Sequence, residues 1–280
     1  MSKNLIKHET TPEEYEAARE EILNSCLMDD MYMRQFFDNN IECTQLVLRV
    51  IMQQDDLIVE SVEVQKYMPG AEESKRAVQI DVYAVDSKGR HYDIEIQRDN
   101  SGAAPERARF CSAMLDVRML EKKQDFKDIK NSIVILRTER DVLGRSLPLY
   151  KIERYINGEN LFNDGSKIIY ANTSHKDDTT ALGKLLHDFL CVNADEMYYE
   201  ELASRTRFFK GDLKGDSLMK SVWKEMADRQ FAAGYEQGGE NALERVAISL
   251  LKAGDLDFEK IAKHFQMPLS KVKELAASIA

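Results

Sequence analysis

The spacing of apolar residues changes along the chain, and each change marks a different kind of secondary structure. Up to residue 53, apolar residues recur every three or four positions, which predicts helices over about 12–26, 29–38 and 40–53. From residue 57 the period falls to two, which predicts three strands at 57–68, 77–86 and 90–98. The chain therefore begins with helices and continues into a meander of strands.

Helices and strands alternate in the next part of the chain. Pro105 suits the first turn of a helix, which we expect to end near residue 122. Short runs rich in β-branched residues predict buried strands at 131–138 and 167–171, and a helical period returns from residue 180. This order predicts a mixed α/β fold, in which helices flank a central mixed sheet, with a helical C-terminal region. We expect the first domain to cover 1–205 and the C-terminal region to cover 206–280.

The C-terminal region contains two short predicted helices that resemble a helix-turn-helix at 257–279, with Ser270 capping the second helix. Residues 241–280 carry six Lys or Arg and five Asp or Glu, so their net charge of +1 favours DNA only slightly. The alternative is a helical hairpin for packing or self-association. We favour a homo-oligomer formed through these helices, because several apolar residues need a partner surface: Ile248, Leu250, Leu251 and Leu256.

Composition and charge restrict the classes of protein that fit. The 280 residues are 43% hydrophobic and 31% charged, as in ordinary globular proteins. No run approaches the roughly 20 apolar residues of a membrane helix, and no signal peptide is evident, so we expect a cytoplasmic protein without membrane contact. The four cysteines lie far apart without zinc spacing, which predicts reduced core thiols. The net charge of −10 means that contact with DNA requires a local basic patch or a metal ion.

The loop Ser87-Lys88-Gly89 predicts the register of a β-hairpin. A three-residue loop commonly ends with glycine in the left-handed conformation, which pairs Asp86 with Arg90. Asp81 then lies opposite Glu95, and Gln97 is the next residue along the same face. The other face carries apolar residues, which we expect to be buried: Ile80, Val82, Ala84, Tyr92, Ile94 and Ile96. We expect neither carboxylate to belong to the core.

Two carboxylates directly across a strand pair repel each other when both are ionised. Either one of them takes up a proton or a cation lies between them. Oxygen ligands suit Mg²⁺ or Mn²⁺, which can activate water and stabilise charge on a phosphate. The alternative is a solvated hairpin face with ordinary acids, because acidic residues on exposed strands are common.

Several stretches in this order resemble the PD-(D/E)XK nuclease superfamily, and more closely the bacterial Rpn family of recombination-promoting nucleases, or nuclease-family transposases. The similarity covers roughly residues 28–175. The similar stretches are AVQIDVYA (77–84), HYDIEIQ (91–97), RARF (107–110), DF (125–126), SIVI (132–135), LPLY (147–150) and DGSK (164–167). The resemblance implies a restriction-endonuclease-like core of four or five mixed strands flanked by helices.

The resemblance also implies metal-dependent cleavage of DNA by named residues. It implies that Asp81 and Glu95 bind Mg²⁺ or Mn²⁺, and that Gln97 occupies the usual lysine position of the catalytic motif, where it can orient water but brings no positive charge. An acid on a preceding helix often assists in the superfamily, and the candidate is Glu42. The candidate DNA-binding residues are Arg98, Arg107 and Arg109.

Two hypotheses follow for the function. The first is a metal-dependent DNA endonuclease that acts in recombination, transposition or phage defence. The second is a catalytically weakened protein with a nuclease fold that acts by DNA binding or oligomerisation. Asp81, Glu95 and Gln97 together favour the first hypothesis, whereas the glutamine at position 97 and the acidic net charge favour the second.

Overall fold

A computed structural model describes most of the chain. The described residues are 11–68, 77–98 and 100–211, then 257–264 and 267–277, with the single positions 220, 224, 244, 247, 248 and 251. Contacts divide the chain into two compact units, one formed by Arg19–Val222 and the other by Met1–Ala18 with Trp223–Ala280. The first unit contains the sheet.

The helices and strands follow the predicted order closely. The helices are α1 (Pro12–Leu23), α2 (Asp30–Phe37), α3 (Ile41–Met52), α4 (Pro105–Met119), α5 (Ala181–Asp188), α6 (Glu200–Gly211), α7 (Phe258–His264) and α8 (Leu269–Ala277). The strands are β1 (Val59–Met68), β2 (Val78–Asp86), β3 (His91–Gln97), β4 (Ser132–Thr138), β5 (Leu149–Ile152), β6 (Tyr155–Ile156), β7 (Asn160–Leu161) and β8 (Ser166–Asn172). The sequence did not predict β5, β6 or β7, which are all four residues or shorter.

Six strands form one mixed sheet in the order β1-β2-β3-β4-β8-β5. The first three strands are antiparallel neighbours, β3, β4 and β8 are parallel, and β5 runs antiparallel at the edge. Every residue of β4 is buried, as expected of a central strand with both faces covered. The predicted fold, a mixed sheet flanked by helices, is confirmed.

Opposite faces of the sheet contact different helices. Val134 and Leu136 of β4 lie in a buried cluster with Ala108, Cys111 and Leu115 of α4. Alternate residues of a strand point to opposite faces, so Arg137 lies on the other face, where it contacts Met28 and the ring of Phe189. The α4 face holds the acidic residues of the hairpin.

The first unit extends beyond the predicted boundary at residue 205. That position falls inside α6, whose Leu202, Thr206 and Phe209 are buried. Helix α6 contacts α2 and α3, so its apolar side continues the helical layer of the first unit. The division by contacts falls after Val222.

In the C-terminal unit, α7 and α8 pack around a small core of Ala247, Ile261, Val272 and Leu275. Ile248 and Leu251 are partly buried against this core. The helix α8 begins at Leu269, which places Ser270 in its first turn and not at the predicted cap. Leu250 and Leu256 lie outside the described residues.

Within the described part of the chain, no helix combines the length and the apolar character needed to cross a membrane.

Candidate active site

The β2–β3 hairpin positions the acidic residues through its tight turn. Gly89 adopts φ +71, and its N–H donates to the carbonyl of Asp86 at 2.8 Å. The Asp86 carboxylate also accepts from the N–H groups of Lys88 and Arg90, at 3.0 and 2.9 Å. The strands pair from Val82 opposite Ile94 to the turn, so the register predicted from the loop is confirmed over this part of the hairpin.

The backbone pairing of β2 with β3 extends from the turn only as far as Val82. At the next position, Asp81, the side chain makes the contact with β3. Its Oδ2 accepts a hydrogen bond from the N–H of Ile96 at 3.0 Å. Its Oδ1 accepts from the amide of Gln65 in β1 at 3.3 Å. Gln65 itself has a left-handed φ of 53°, which interrupts the regular strand at this point. Asp81 is thus held between β1 and β3 by both carboxylate oxygens.

The same irregularity changes the faces of two predicted core residues. Ile80 is fully buried, but it packs in the cluster beneath α4 with Val134 and Leu136, not on the face predicted for it. Ile96 is only half-buried, whereas Val82 and Ile94 are buried as predicted. Regular alternation therefore holds near the turn and fails beside Asp81.

Glu95 is fully buried, which contradicts the expectation that it lies outside the core. The helix α4 covers this face of the hairpin. Its Arg107 donates from Nη2 to Oε2 of Glu95 at 2.6 Å. Gln97 donates from Nε2 to the same oxygen at 3.3 Å. The alternative of a solvated acidic hairpin face is therefore wrong for Glu95, while Asp81 is half-buried.

A third acid, Asp93, lies on the same face and was not among the predicted site residues. It is 0% exposed, and neither of its carboxylate oxygens has a hydrogen-bond donor within the described residues. Oε1 of Glu95 is likewise without a donor there. The spacing Asp93-x-Glu95 on one strand signalled this arrangement, but a period of two alone does not distinguish a covered polar face from a solvated one.

Burial and mutual repulsion change the protonation of these acids. Burial, followed by the charge of Glu95, raises the pKa of Asp81 to about 7. Burial and the same neighbour raise the pKa of Asp93 well above its usual range. Without a cation, the folded protein therefore holds protons that free carboxylic acids would release near pH 4.

Asp93→Asn should raise the thermal stability of the metal-free protein at neutral pH. The raised pKa means that neutral Asp93 stabilises the fold at acid pH, and that this stability is lost as the pH rises from about 4 through the raised pKa. Asparagine has no proton to release. We expect the variant and the parent protein to unfold at similar temperatures at pH 4, and the variant to gain about 1 kcal/mol or more at pH 8. That corresponds to roughly 2–4 °C.

The measurement is thermal unfolding in EDTA at both pH values, with Glu60→Gln as the control because Glu60 is exposed on β1. A variant that is less stable than the parent protein at pH 8 would contradict the buried, uncompensated carboxylate described above.

A cleft of about 590 Å³ opens beside Asp81. Arg34, Gln65, Asp81, Arg107 and Cys111 are among the residues that line it. The cleft gives solvent and ligands a route to Asp81, and two arginines, Arg34 and Arg107, line it.

Two residues of α2 were missed in the sequence: Arg34, which lines this cleft, and Asp30, whose charge acts on Asp81. Arg34 pairs with Asp30 at 2.6 Å. Burial is the main cause of the raised pKa of Asp81, and the charges of Glu95 and Asp30 add to it. Only the four-residue spacing of Asp30 and Arg34 signalled this pair, and such pairs are common on helix surfaces.

The other predicted site residues lie elsewhere or have other partners. Arg98 pairs with Asp29 at 2.9 Å and with Glu139 at 3.6 Å. Arg109 is exposed on α4. Glu42 is exposed in the first turn of α3 and lines a different cleft, between α3 and α6. The structure therefore brings together Asp81, Glu95, Gln97 and Arg107, but it does not bring Glu42 to them.

The acids fit a hard divalent cation by their chemistry. Carboxylate oxygens are the preferred protein ligands of Mg²⁺ and Mn²⁺. Asp81 offers such oxygens at the cleft, and the buried Glu95 next to it has an Oε1 without a donor among the described residues. In the structure, the guanidinium group of Arg107 supplies the positive charge next to Glu95.

Comparison with known proteins agrees with this geometry. Residues 37–174 match the family model described as PD-(D/E)XK nuclease family transposase. Searches of curated proteins and of solved structures gave no match. The matched range contains all six strands of the sheet and the hairpin with Asp81, Glu95 and Gln97. The resemblance found in the sequence is thus confirmed, since a model of the PD-(D/E)XK nuclease family transposase domain covers residues 37–174.

Proposed function

We propose that the chain is a DNA endonuclease that uses Mg²⁺ or Mn²⁺ to hydrolyse phosphodiester bonds. The observation that carries the proposal is the opening of the β2–β3 ladder at Asp81, which holds this carboxylate at the cleft beside the buried Glu95. A bound divalent ion would supply positive charge for the phosphate and lower the pKa of water. The family match supports a nuclease and is consistent with a role in recombination, transposition or phage defence.

Each residue of the site has a separate task in this proposal. Asp81 and Glu95 would hold the metal ion, and the fixed hydrogen bonds of Asp81 orient its carboxylate in advance. The amide of Gln97, next to Glu95, orients the attacking water. Arg107 would be free to contact a phosphate when a metal ion neutralises Glu95, because guanidinium groups suit paired contacts with phosphate oxygens.

Because the net charge of the chain is negative, DNA binding requires positively charged side chains close to the site. Arg107 lines the cleft, and Arg109 is exposed on the same helix, so both are assigned to the DNA backbone. Arg98 is held by Asp29 and Glu139, and we assign to it a weaker contribution. Salt should weaken binding, because each phosphate contact releases counterions.

Removal of divalent metal should stop cleavage without unfolding the protein. We expect the purified chain to nick or linearise supercoiled plasmid with Mg²⁺ or Mn²⁺, to lose this activity in EDTA, and to recover it when the metal is restored. Circular dichroism should remain unchanged in EDTA, because the Arg107–Glu95 pair keeps the site neutralised. Cleavage that continues in EDTA would refute the proposal, whereas tight DNA binding without cleavage would support the weakened nuclease fold.

Gly102→Ala should lower the cleavage rate by about tenfold or more through displacement of Gln97. An added Cβ at Gly102 would lie 1.8 Å from Oε1 of Gln97, so the amide must leave its place beside Glu95. The affinity for Mn²⁺, measured by calorimetry, should change little, because Asp81 and Glu95 stay in place.

Gly211→Ala is the matched control, since its added methyl group meets nothing within 4 Å. Equal cleavage rates for the two alanine variants would show that the position of Gln97 does not matter.

A further inference from the structure

Three potential metal ligands from two elements meet on the buried side of the candidate site. Asp93 and Glu95 come from β3, and Cys111 comes from α4. One ligand atom of each lies within 4.8 Å of the others. Asp93 and Glu95 are 0% exposed and Cys111 is 2% exposed. The sequence predicted no zinc site because these residues lack a Cys/His spacing, and only the packing of α4 on β3 joins them.

The ligand atoms of this cluster are not used by other interactions. Both oxygens of Asp93 and Oε1 of Glu95 have no hydrogen-bond donor in the described part of the chain. Cys111 is a free thiol. A buried carboxylate without a donor is costly, so the cluster requires either protons or a cation. Arg107 bonds to Oε2 of Glu95 and leaves Oε1 for another partner.

The chemistry of the cluster differs from that of the Asp81–Glu95 pair. A thiolate with two carboxylates suits Zn²⁺ better than Mg²⁺, which prefers oxygen ligands alone. Bonds of about 2.0–2.3 Å place tetrahedral ligands roughly 3.3–3.8 Å apart, so small side-chain rotations would complete the site. The three side chains leave the fourth position to water.

An ion can approach the cluster through the cleft. Cys111 and Arg107 both line the cleft that contains Asp81. The cleft therefore reaches one ligand of the cluster, Cys111, and the arginine that covers Glu95.

We propose that Asp93, Glu95 and Cys111 form a Zn²⁺ site that shares Glu95 with the nuclease metal. Zinc in this site would bind Glu95 through Oε1, and because both sites need Glu95, zinc and Mg²⁺ or Mn²⁺ exclude each other. The exclusion rests on the proposed function, but zinc binding itself does not.

A second cluster of His187, Asp188 and Cys191 is the competing location for zinc. Its Asp188 is already engaged, since its two oxygens accept from the N–H groups of Tyr198 and Tyr199, each at 2.8 Å. These bonds fix the chain before α6. Each cluster contains one cysteine, Cys111 or Cys191, so substitution of one cysteine at a time shows which cluster binds the ion.

The test is a Co²⁺ titration of the full-length, metal-free protein followed by absorption spectroscopy. Thiolate ligation gives a sulfur-to-cobalt charge-transfer band in the near ultraviolet, and Zn²⁺ should abolish this band by displacement. We expect the parent protein and Cys191→Ser to show the band at one equivalent, and Cys111→Ser to lack it. Asp93→Asn should weaken Co²⁺ binding by at least about tenfold. Circular dichroism checks the fold of each variant, and Cys111→Ala is the substitute if the serine variant unfolds.

A parent protein without the band, or a band lost in Cys191→Ser and kept in Cys111→Ser, would overturn the proposal. Excess Mn²⁺ should lower the apparent Co²⁺ affinity, and independence of the two ions would overturn the sharing of Glu95. The spectra do not depend on DNA cleavage. A Cys111-dependent band in a protein that cleaves no DNA would therefore refute the nuclease and leave the zinc site standing.

Discussion

Glu95→Gln and Asp81→Asn should each reduce metal-dependent DNA cleavage by at least about a hundredfold. Each change removes one of the two negative charges that we propose as metal ligands. The fold should survive, because the new amide in Glu95→Gln still offers an oxygen to Arg107, and the one in Asp81→Asn still offers an oxygen to the N–H of Ile96. The measurement is plasmid cleavage in Mg²⁺ and in Mn²⁺, with circular dichroism of each variant.

The control for these two variants is Glu60→Gln, which changes an exposed acid of β1. Its cleavage rate should equal that of the parent protein. Full activity in Asp81→Asn or in Glu95→Gln would show that the substituted carboxylate is not a metal ligand needed for cleavage.

Arg107→Met should destabilise the metal-free protein and make Mn²⁺ a stronger stabiliser. The variant leaves the buried Glu95 without its cationic partner, and loss of a partner from a buried pair is costly. Because the Arg107 side chain is 38% exposed, solvent screening reduces the expected loss to about 1–3 kcal/mol. We expect the unfolding temperature in EDTA to fall by several degrees, and saturating Mn²⁺ to raise it more in the variant than in the parent protein.

Arg109→Met is the matched control, since Arg109 lies exposed on the same helix. Its unfolding temperature in EDTA should stay within about 1 °C of the parent protein, as is usual for surface substitutions. If the two methionine variants behave alike, Arg107 does not act as the counter-charge of Glu95.

The sequence predicted the hairpin well because local rules determine it. Gly89 fixes the loop, and the alternation of Val82, Ala84, Tyr92 and Ile94 fixes which residues pair. The bounds of the longer helices and strands were also predictable, since each has a full apolar period. The strand β5 was missed because four residues carry too little periodicity to be distinguished from a loop.

The burial of the site could not be predicted from the hairpin alone. Asp93 and Glu95 alternate with apolar residues, as on a solvated strand, and only the position of α4 shows that their face is covered. The pairing of Arg107 with Glu95 depends on the same tertiary contact. The left-handed backbone conformation of Gln65 could not be predicted from the sequence either, because glutamine has no local preference for that conformation.

The most direct test of the metal site is anomalous diffraction from a crystal soaked in Mn²⁺. We expect one strong peak at roughly 2.1 Å from carboxylate oxygens of both Asp81 and Glu95, with the guanidinium group of Arg107 moved away from Oε2 of Glu95. A crystal at saturating Mn²⁺ with no peak between Asp81 and Glu95, and with Arg107 still bonded to Glu95, would contradict this expectation.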